Sequence, residues 1–339
     1  MWLTEMSDIN RNDLDGEFGG YFELSLPDYG DPYPTPYIKY QSARAALRAA
    51  IEASNLTHVK LPSYVCDAVI QAAIDSGRTI SFYDLNAELL PDLVEDLSEN
   101  TWLLYVNYFG LCDNQIRSLL RRYPGKRLLI DNTQAFFSCP IRQCVTIYSP
   151  RKFVGLPDGG VLHAAHLDVR KPSLEDEGSM ERIAHLIIRA SEGARAGYSS
   201  FLTASRSLEN TTPLMMSKVT RRLLSSIDLN VVRERRRANF KLLSEAFDTV
   251  NELSWHLDDE AVPLCYPLVL NKDTAPIRNR LADLNIFVPT YWEDARHRIR
   301  SDGVEAALLH RCLAIPCDQR YSEQQIVEMI KIIEMEIYR

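Results

Sequence analysis

The chain has 339 residues, of which 46% are hydrophobic and 25% are charged, a balance typical of a globular protein with about two domains. No apolar run reaches the length of about 18 residues that a membrane span needs, and residues 1–15 lack the apolar segment of a secretion signal. The formal net charge of −8 disfavours a nucleic-acid partner, because a phosphate backbone requires a basic protein face.

Strand-like and helix-like runs alternate through the first half of the chain. The predicted strands are 58–61, 79–83, 102–106, 127–130, 144–148 and 160–164, and the predicted helices are 63–75, 89–97 and 114–122. This alternation predicts a mostly parallel sheet between two layers of helices. In such sheets, the chemistry gathers just beyond the carboxyl ends of the strands.

The pattern changes after residue 172. Residues 180–206 and 229–250 read as helices, 265–270 and 312–315 as strands, and 322–338 as a final helix. Ser322 and Gln325 form a capping box that marks the start of this last helix. We expect a large domain over 1–220, with an N-terminal arm over 1–35, and a smaller α+β domain over 221–339.

Several common sites are disfavoured by the absence of their motifs. The seven cysteines are scattered without a C-x-x-C pair, so we expect no bound metal and reduced thiols in a cytoplasmic protein. The glycine motifs of dinucleotide-binding folds, nucleotide-hydrolysing loops and serine hydrolases are also missing from the sequence.

The first candidate site is the Ser149-Pro150-Arg151-Lys152 run, which follows the predicted strand 144–148. Lysines are scarce, with nine in the chain against twenty-nine arginines. A partly desolvated amine beside an arginine has a depressed pKa, as a lysine that attacks an aldehyde requires. Pyridoxal phosphate (PLP) uses such a lysine. The alternative is a solvated loop lysine.

The second candidate site is Asp131 with Gln134, where an apolar strand ends in a carboxylate. An aspartate in this position can hold the protonated pyridine nitrogen of PLP, which makes the ring an electron sink. The amide of Gln134 can contact the phenolic oxygen of the same ring. The alternative is that Asp131 caps the following turn.

Two weaker candidates precede these sites in the chain. Ser42 is a good helix N-cap, and the small residues after it leave backbone N–H groups accessible to a phosphate, to which Arg44 adds charge. Tyr64, at the exit of a strand, can stack on a cofactor ring. An ordinary capped helix and a core tyrosine are the alternatives.

The order of these four sites is that of fold-type I PLP enzymes, and the chain resembles the DegT/StrS family of sugar aminotransferases over nearly its whole length. The segments that carry the resemblance are 42–47, 61–64, 106–110, 131–135, Lys152 with Asp158-Gly159-Gly160, and 315–317. The resemblance implies a fold-type I PLP-transferase of α/β class, whose large domain has a mostly parallel seven-stranded sheet between helices.

The resemblance also implies function. It suggests PLP as cofactor and a homodimer with active sites at the interface. It further suggests amino transfer from glutamate or glutamine to a keto-sugar carried on a nucleotide, in glycan, O-antigen or secondary-metabolite biosynthesis. Lys152 and Asp131 take the catalytic positions. The positions that match cofactor-binding residues are Ser42, Ala43, Arg44, Tyr64, Asp131, Gln134, Ser149 and Lys152, and those that match substrate-binding residues are Asn107 and Tyr108.

The sequence departs from the family pattern at several points. Asn107 replaces a common histidine, and the G-Y-N-[YF]-R loop that reaches the partner's cofactor is not seen; residues 196–200 are the nearest stretch. A lyase, dehydratase or acyl-condensing enzyme on the same fold therefore stays open, and so does a homologue without catalysis.

Overall fold

The computed structural model of the chain describes residues 19–93 and 96–339. Its strands are β1 Ile38–Tyr40, β2 His58–Pro62, β3 Thr79–Leu85, β4 Pro91–Asp92, β5 Thr101–Val106, β6 Leu128–Asn132, β7 Val145–Tyr148, β8 Gly160–His163, β9 Tyr266–Val269 and β10 Cys312–Ile315. Its helices are α1 Ala43–Glu52, α2 Asp67–Asp75, α3 Asp113–Arg122, α4 Ser179–Arg182, α5 Ala184–Glu192, α6 Ala194–Arg206, α7 Lys218–Ser225, α8 Leu229–Phe247, α9 Ala275–Asp283, α10 Val304–Ala306 and α11 Glu323–Tyr338. None of the helices in these two ranges is long and apolar enough to cross a membrane.

An eight-stranded sheet organises the first half of the molecule. Its strand order is β1-β8-β7-β6-β5-β2-β3-β4, with β2 parallel to β3 and β5, and with β5, β6 and β7 parallel in turn. β8 runs antiparallel to β7 and to β1, while β4 runs antiparallel to β3. The predicted α/β class with a mostly parallel sheet is confirmed, and the two-residue edge strand β4 adds to the seven strands expected.

The central strands are mostly apolar because both faces of the sheet are covered. All positions of β5, β6, β7 and β8 are buried. Strands of this kind are typical of parallel sheets, whereas a sheet with one wet face alternates apolar and polar residues. The packing therefore directs the polar chemistry to the strand ends, where the chain leaves the sheet.

The predicted helix over 89–97 is wrong for the described residues of that segment. Asn86 forms a side-chain turn, accepting hydrogen bonds from the backbone N–H of Glu88 at 3.0 Å and of Leu90 at 2.9 Å. Leu89 has a φ of 60°, and Pro91 disfavours helical backbone in the residue before it. The local turn therefore leads into β4 and not into a helix.

The second half contains a small antiparallel sheet of β9 and β10, against which α8 packs. The helical run predicted over 180–206 is divided into α4, α5 and α6, with Gly193 at a φ of 92° between the last two. The capping box at Ser322 and Gln325 is confirmed at the start of α11. The domain boundary predicted at residue 220 falls inside α7, and the division into two domains stays a prediction.

Candidate functional site

A lysine and an aspartate converge at the carboxyl ends of β6 and β7. Asp131 is the fourth residue of β6, and Lys152 ends the short 3-10 turn Pro150–Lys152 that follows β7. The Nζ of Lys152 donates to Oγ1 of Thr133 at 3.0 Å, and the backbone N–H of Thr133 donates to Oδ1 of Asp131 at 2.8 Å. The two side chains that the sequence predicts to act together thus contact one residue between them.

Burial and charge act against each other in this pair. Desolvation raises the pKa of the Asp131 carboxyl, while the positive charge of Lys152 and the hydrogen bonds from Thr133 oppose the rise. Desolvation lowers the pKa of the Lys152 amine, and the charge of Asp131 opposes that shift. Although Lys152 as a whole is an exposed residue, its amine keeps this depressed pKa. An amine of this kind is more nucleophilic than a solvated one.

Gln134 lies beneath the same corner with an unused donor. Its side chain is fully buried, and its Oε1 accepts a hydrogen bond from the backbone N–H of Phe109 at 2.9 Å. Its Nε2 has no hydrogen-bond partner. A buried donor left unpaired costs about 1–3 kcal/mol, so a ligand acceptor at this point would be favoured.

The turn that meets Gln134 is built for close approach. Phe109 and Gly110 both adopt positive φ, at 57° and 73°. A Cβ on Gly110 would lie 2.9 Å from the backbone oxygens of Gln134 and Val262, which is closer than carbon and oxygen tolerate. The turn therefore requires glycine, and it aims the N–H of Phe109 at the Gln134 amide.

The start of α1 approaches this corner from the other side. Ser42 caps the helix by accepting a hydrogen bond from the N–H of Ala45 at 3.2 Å. The N–H of Gly159 donates to the carbonyl of Gln41 at 2.8 Å. A Cβ on Gly160 would lie only 2.1 Å from the carbonyl carbon of Ser42. The glycine pair thus brings the first turn of α1 directly against β8.

The aspartate before the glycine pair is a structural anchor. Asp158 is fully buried and accepts hydrogen bonds from the hydroxyls of Ser179 and Thr220. It also pairs with Arg182 at 3.4 Å. These contacts attach the segment before β8 to α4 and α7.

Three predicted contact residues face the interior. Tyr64 is 1% exposed, stacks on Tyr108 with ring centroids 6.0 Å apart, and has the edge of Trp292 at 4.8 Å. Tyr108 is fully buried, and its hydroxyl donates to the carbonyl of Tyr64 at 3.0 Å. Asn107 is also fully buried, and its amide nitrogen donates to Asp113 at 2.7 Å. These are packing contacts, and the ring-stacking and substrate-binding roles of the three residues stay predictions.

The structure adds residues that the motif analysis did not assign. Thr133 links Lys152 to Asp131, although it lies inside the Asp-x-x-Gln motif and was passed over there. Cys66 is half-buried, and burial raises the pKa of its thiol, while a hydrogen bond from the backbone of Ala68 and the charges of Lys152 and Arg44 oppose the rise. Ser149, predicted to hold phosphate, is almost buried at the end of β7, and its carbonyl accepts from the N–H of Lys152 at 3.3 Å.

Solved structures with the same fold are aminotransferases. The sugar aminotransferase CalS13 from Micromonospora echinospora is 15% identical, with a TM-score of 0.60 over 88% of this chain and 87% of that one. The aminotransferase TlmJ from Streptoalloteichus hindustanus is 18% identical, with a TM-score of 0.61 over 89% and 86%. The PLP form of Spr1654 from Streptococcus pneumoniae, a putative sugar aminotransferase, is 14% identical, with a TM-score of 0.61 over 88% and 86%.

Similarity to known proteins is found in the fold and not in the sequence. No protein-family model and no curated protein matches the sequence. The chain nevertheless has the fold of the DegT/DnrJ/EryC1/StrS sugar aminotransferases, so the resemblance predicted from its motifs is confirmed at the level of the fold.

The residues at the strand ends fit PLP. A carboxylate, a lysine of depressed pKa and an unpaired amide donor match the pyridine nitrogen, the aldehyde and the phenolic oxygen of that cofactor. The unpaired Nε2 of Gln134 is the most telling of the three, because no protein group explains it.

Proposed function

We propose that this protein is a PLP-dependent aminotransferase that acts on a sugar ketone. The convergence of Lys152 and Asp131 on Thr133 carries the proposal, because PLP chemistry needs an amine and a carboxylate at one ring. Bound PLP supplies an electron sink that stabilises negative charge on the carbon next to the transferred nitrogen.

Each side chain has a defined task in this proposal. Asp131 holds a proton on the pyridine nitrogen, because its buried carboxylate gains most from a cationic donor. Lys152 binds the cofactor and afterwards moves a proton between substrate carbon and cofactor. Thr133 orients the lysine through its Oγ1, and Gln134 donates its unpaired N–H to the phenolic oxygen.

The finer assignments extend the same proposal. We infer that glutamate or glutamine supplies the amino group, and that the acceptor is a keto-sugar carried on a nucleotide in a cytoplasmic pathway of glycan, O-antigen or secondary-metabolite biosynthesis. A homodimer would cover the exposed face of Lys152. The stretch closest to a partner-reaching loop, 196–200, lies inside α6.

Cofactor attachment is the first test of the proposal. The purified protein should take up PLP and, after reduction with borohydride, carry it on the peptide that contains Lys152. Lys152→Ala should abolish this label, whereas Lys126→Ala, which removes another exposed lysine, should keep it. A label on a different lysine would refute the site, and a protein that takes up no PLP would be a homologue without this catalysis.

Product analysis is the second test. Glutamate should discharge its amino group onto the loaded protein, and a nucleotide-linked keto-sugar should then leave as an amino sugar detected by mass spectrometry. A deoxy-ketone in place of the amino sugar would refute transfer and identify a dehydratase on the same fold.

A further inference from the structure

Two arginines near Lys152 have no carboxylate at ion-pair distance among the described residues. Arg151 immediately precedes the lysine in the 3-10 turn, and Arg44 lies in the first turn of α1. Across residues 19–93 and 96–339, neither guanidinium forms an ion pair. Both lie close enough to the amine that their charges lower its pKa.

Arg182, a nearby arginine, is ion-paired and serves as a comparison for Arg44 and Arg151. Arg182 pairs with Asp158 at 3.4 Å and also with Asp176. The Asp158 carboxylate is already occupied by two hydroxyl donors and Arg182, so it has little capacity left for Arg151. Arg182 is therefore ion-paired, whereas Arg44 and Arg151 form no ion pair among the described residues.

Arg44 and Arg151 also keep N–H donors that form no hydrogen bond within the described residues. An arginine side chain has five N–H donors, and Arg44 uses one of them on the carbonyl of Leu208 at 2.7 Å. For Arg151, no protein acceptor lies within hydrogen-bonding distance in the described part of the chain. Burial and the charges of Arg44 and Arg182 lower the pKa of Arg151 to about 10, against an opposing effect of the Asp158 charge. A guanidinium with free donors favours an anionic acceptor such as a phosphate.

The position of Arg44 and Arg151 indicates which anion they would bind. In PLP, the phosphate ester and the aldehyde are on neighbouring ring positions, so a phosphate site must lie next to the lysine that takes the aldehyde. Arg151 is adjacent to Lys152, while Ser42 and Gly160 press the start of α1 against β8 from the same side. The N–H groups of that first turn add partial positive charge.

We propose that Arg151, together with Arg44, forms an in-chain site for the phosphate ester of the cofactor, with Arg151 as a direct phosphate ligand. This inference rests on the proposed function. With these two arginines, a single chain would supply positive charge to the phosphate. The sequence lacks the G-Y-N-[YF]-R loop that reaches the partner's cofactor.

The test compares PLP with pyridoxal, which has the ring and aldehyde but no phosphate. Dissociation constants for both are measured by absorbance titration of the cofactor-free protein, without any substrate. Arg151→Gln should weaken PLP binding about 10- to 100-fold more than pyridoxal binding, the value of a charge-assisted hydrogen bond to the phosphate. Arg44→Gln should act in the same direction, and Arg151→Lys should recover part of the loss.

The control is Arg48→Gln, which removes an arginine one turn further along α1. Arg48 pairs with Glu52 at 2.7 Å, so its loss should leave the ratio of the two dissociation constants as in the wild type. An equal loss for PLP and pyridoxal in both glutamine variants, or no loss for PLP, would overturn the inference. An unchanged ratio with weaker binding of a nucleoside diphosphate would overturn it too, by assigning the arginines to a substrate phosphate.

The proposed function and this inference fail in different ways. If the wild-type protein forms no borohydride-reducible link at Lys152, the proposed function is wrong. If the link forms but Arg151→Gln leaves the preference for the phosphorylated cofactor intact, the phosphate assignment alone is wrong.

Discussion

Replacing Gly160 by alanine should disturb the candidate cofactor site indirectly, because the added Cβ pushes the start of α1 away from β8. An added Cβ would lie 2.1 Å from the carbonyl carbon of Ser42, 2.2 Å from its oxygen and 2.3 Å from the nitrogen of Ala43. All three atoms are backbone, so no side chain can rotate away. Since van der Waals contact needs about 3.5–4.0 Å between such atoms, the start of α1 must move by more than 1 Å.

The size of the effect follows from this geometry. Overpacking in a core typically costs about 1–3 kcal/mol, and a clash with backbone on two elements belongs at the upper end or above it. We expect Gly160→Ala to lower the free energy of unfolding by about 3 kcal/mol or more. PLP affinity should fall as well, because the first turn of α1 moves away from Lys152.

Urea denaturation measures the stability, and absorbance titration measures PLP binding. The matched control is Gly155→Ala, three residues after Lys152, where an added Cβ meets nothing closer than a carbon of Leu186 at 3.7 Å. That variant should be neutral or slightly stabilising, by up to about 1 kcal/mol. Equal stability of Gly160→Ala and the wild type would refute the close approach on which the reasoning depends.

Three further predictions concern the buried polar groups. Asp131→Asn removes the negative charge that holds up the pKa of Lys152, so the pH midpoint for acetylation of that amine should shift downward; an unchanged or higher midpoint would contradict the pairing. Gln134→Leu leaves the N–H of Phe109 without its acceptor and should cost about 1–3 kcal/mol in urea denaturation, a result that a stability equal to wild type would exclude. Asp158→Asn removes a fully buried carboxylate from its arginine and should cost about 3–5 kcal/mol, measured by the same unfolding curves.

The lysine also gives stability a pH dependence. Its pKa is lowered in the folded protein, so the unfolded chain binds more protons between the two pKa values and folding stability rises with pH across that window. In Lys152→Ala, this rise in the alkaline range should be smaller. Unfolding curves at a series of pH values would show an unchanged slope if the amine were solvated.

The sequence predicts the strands best where burial is complete. β5, β6 and β7 are buried throughout and mostly apolar, so the sequence pattern predicts them, and the Ser322 capping box marks the start of α11 by local chemistry. The helix expected over 89–97 fails for the opposite reason, because its apolar residues fit two local structures and the Asn86 turn selects the other.

The candidate site divides in the same way. The sequence alone determined the identities of Lys152, Asp131 and Gln134 and their places at strand ends, since these depend on local patterns. The tertiary structure decided which side chains meet: Thr133 joins the lysine to the aspartate.

The physical reason for this division is that a sequence pattern gives the spacing of residues along the chain but not the direction in which each side chain points. Tyr64 and Asn107 stand at strand exits like the site residues, yet packing turns both side chains inward. Neighbours in space depend on the strand order, which places β7 beside β6 and α1 against β8, and on the close contact that Gly160 permits. Such long-range pairings form only when the whole sheet assembles, so only the folded structure decides them.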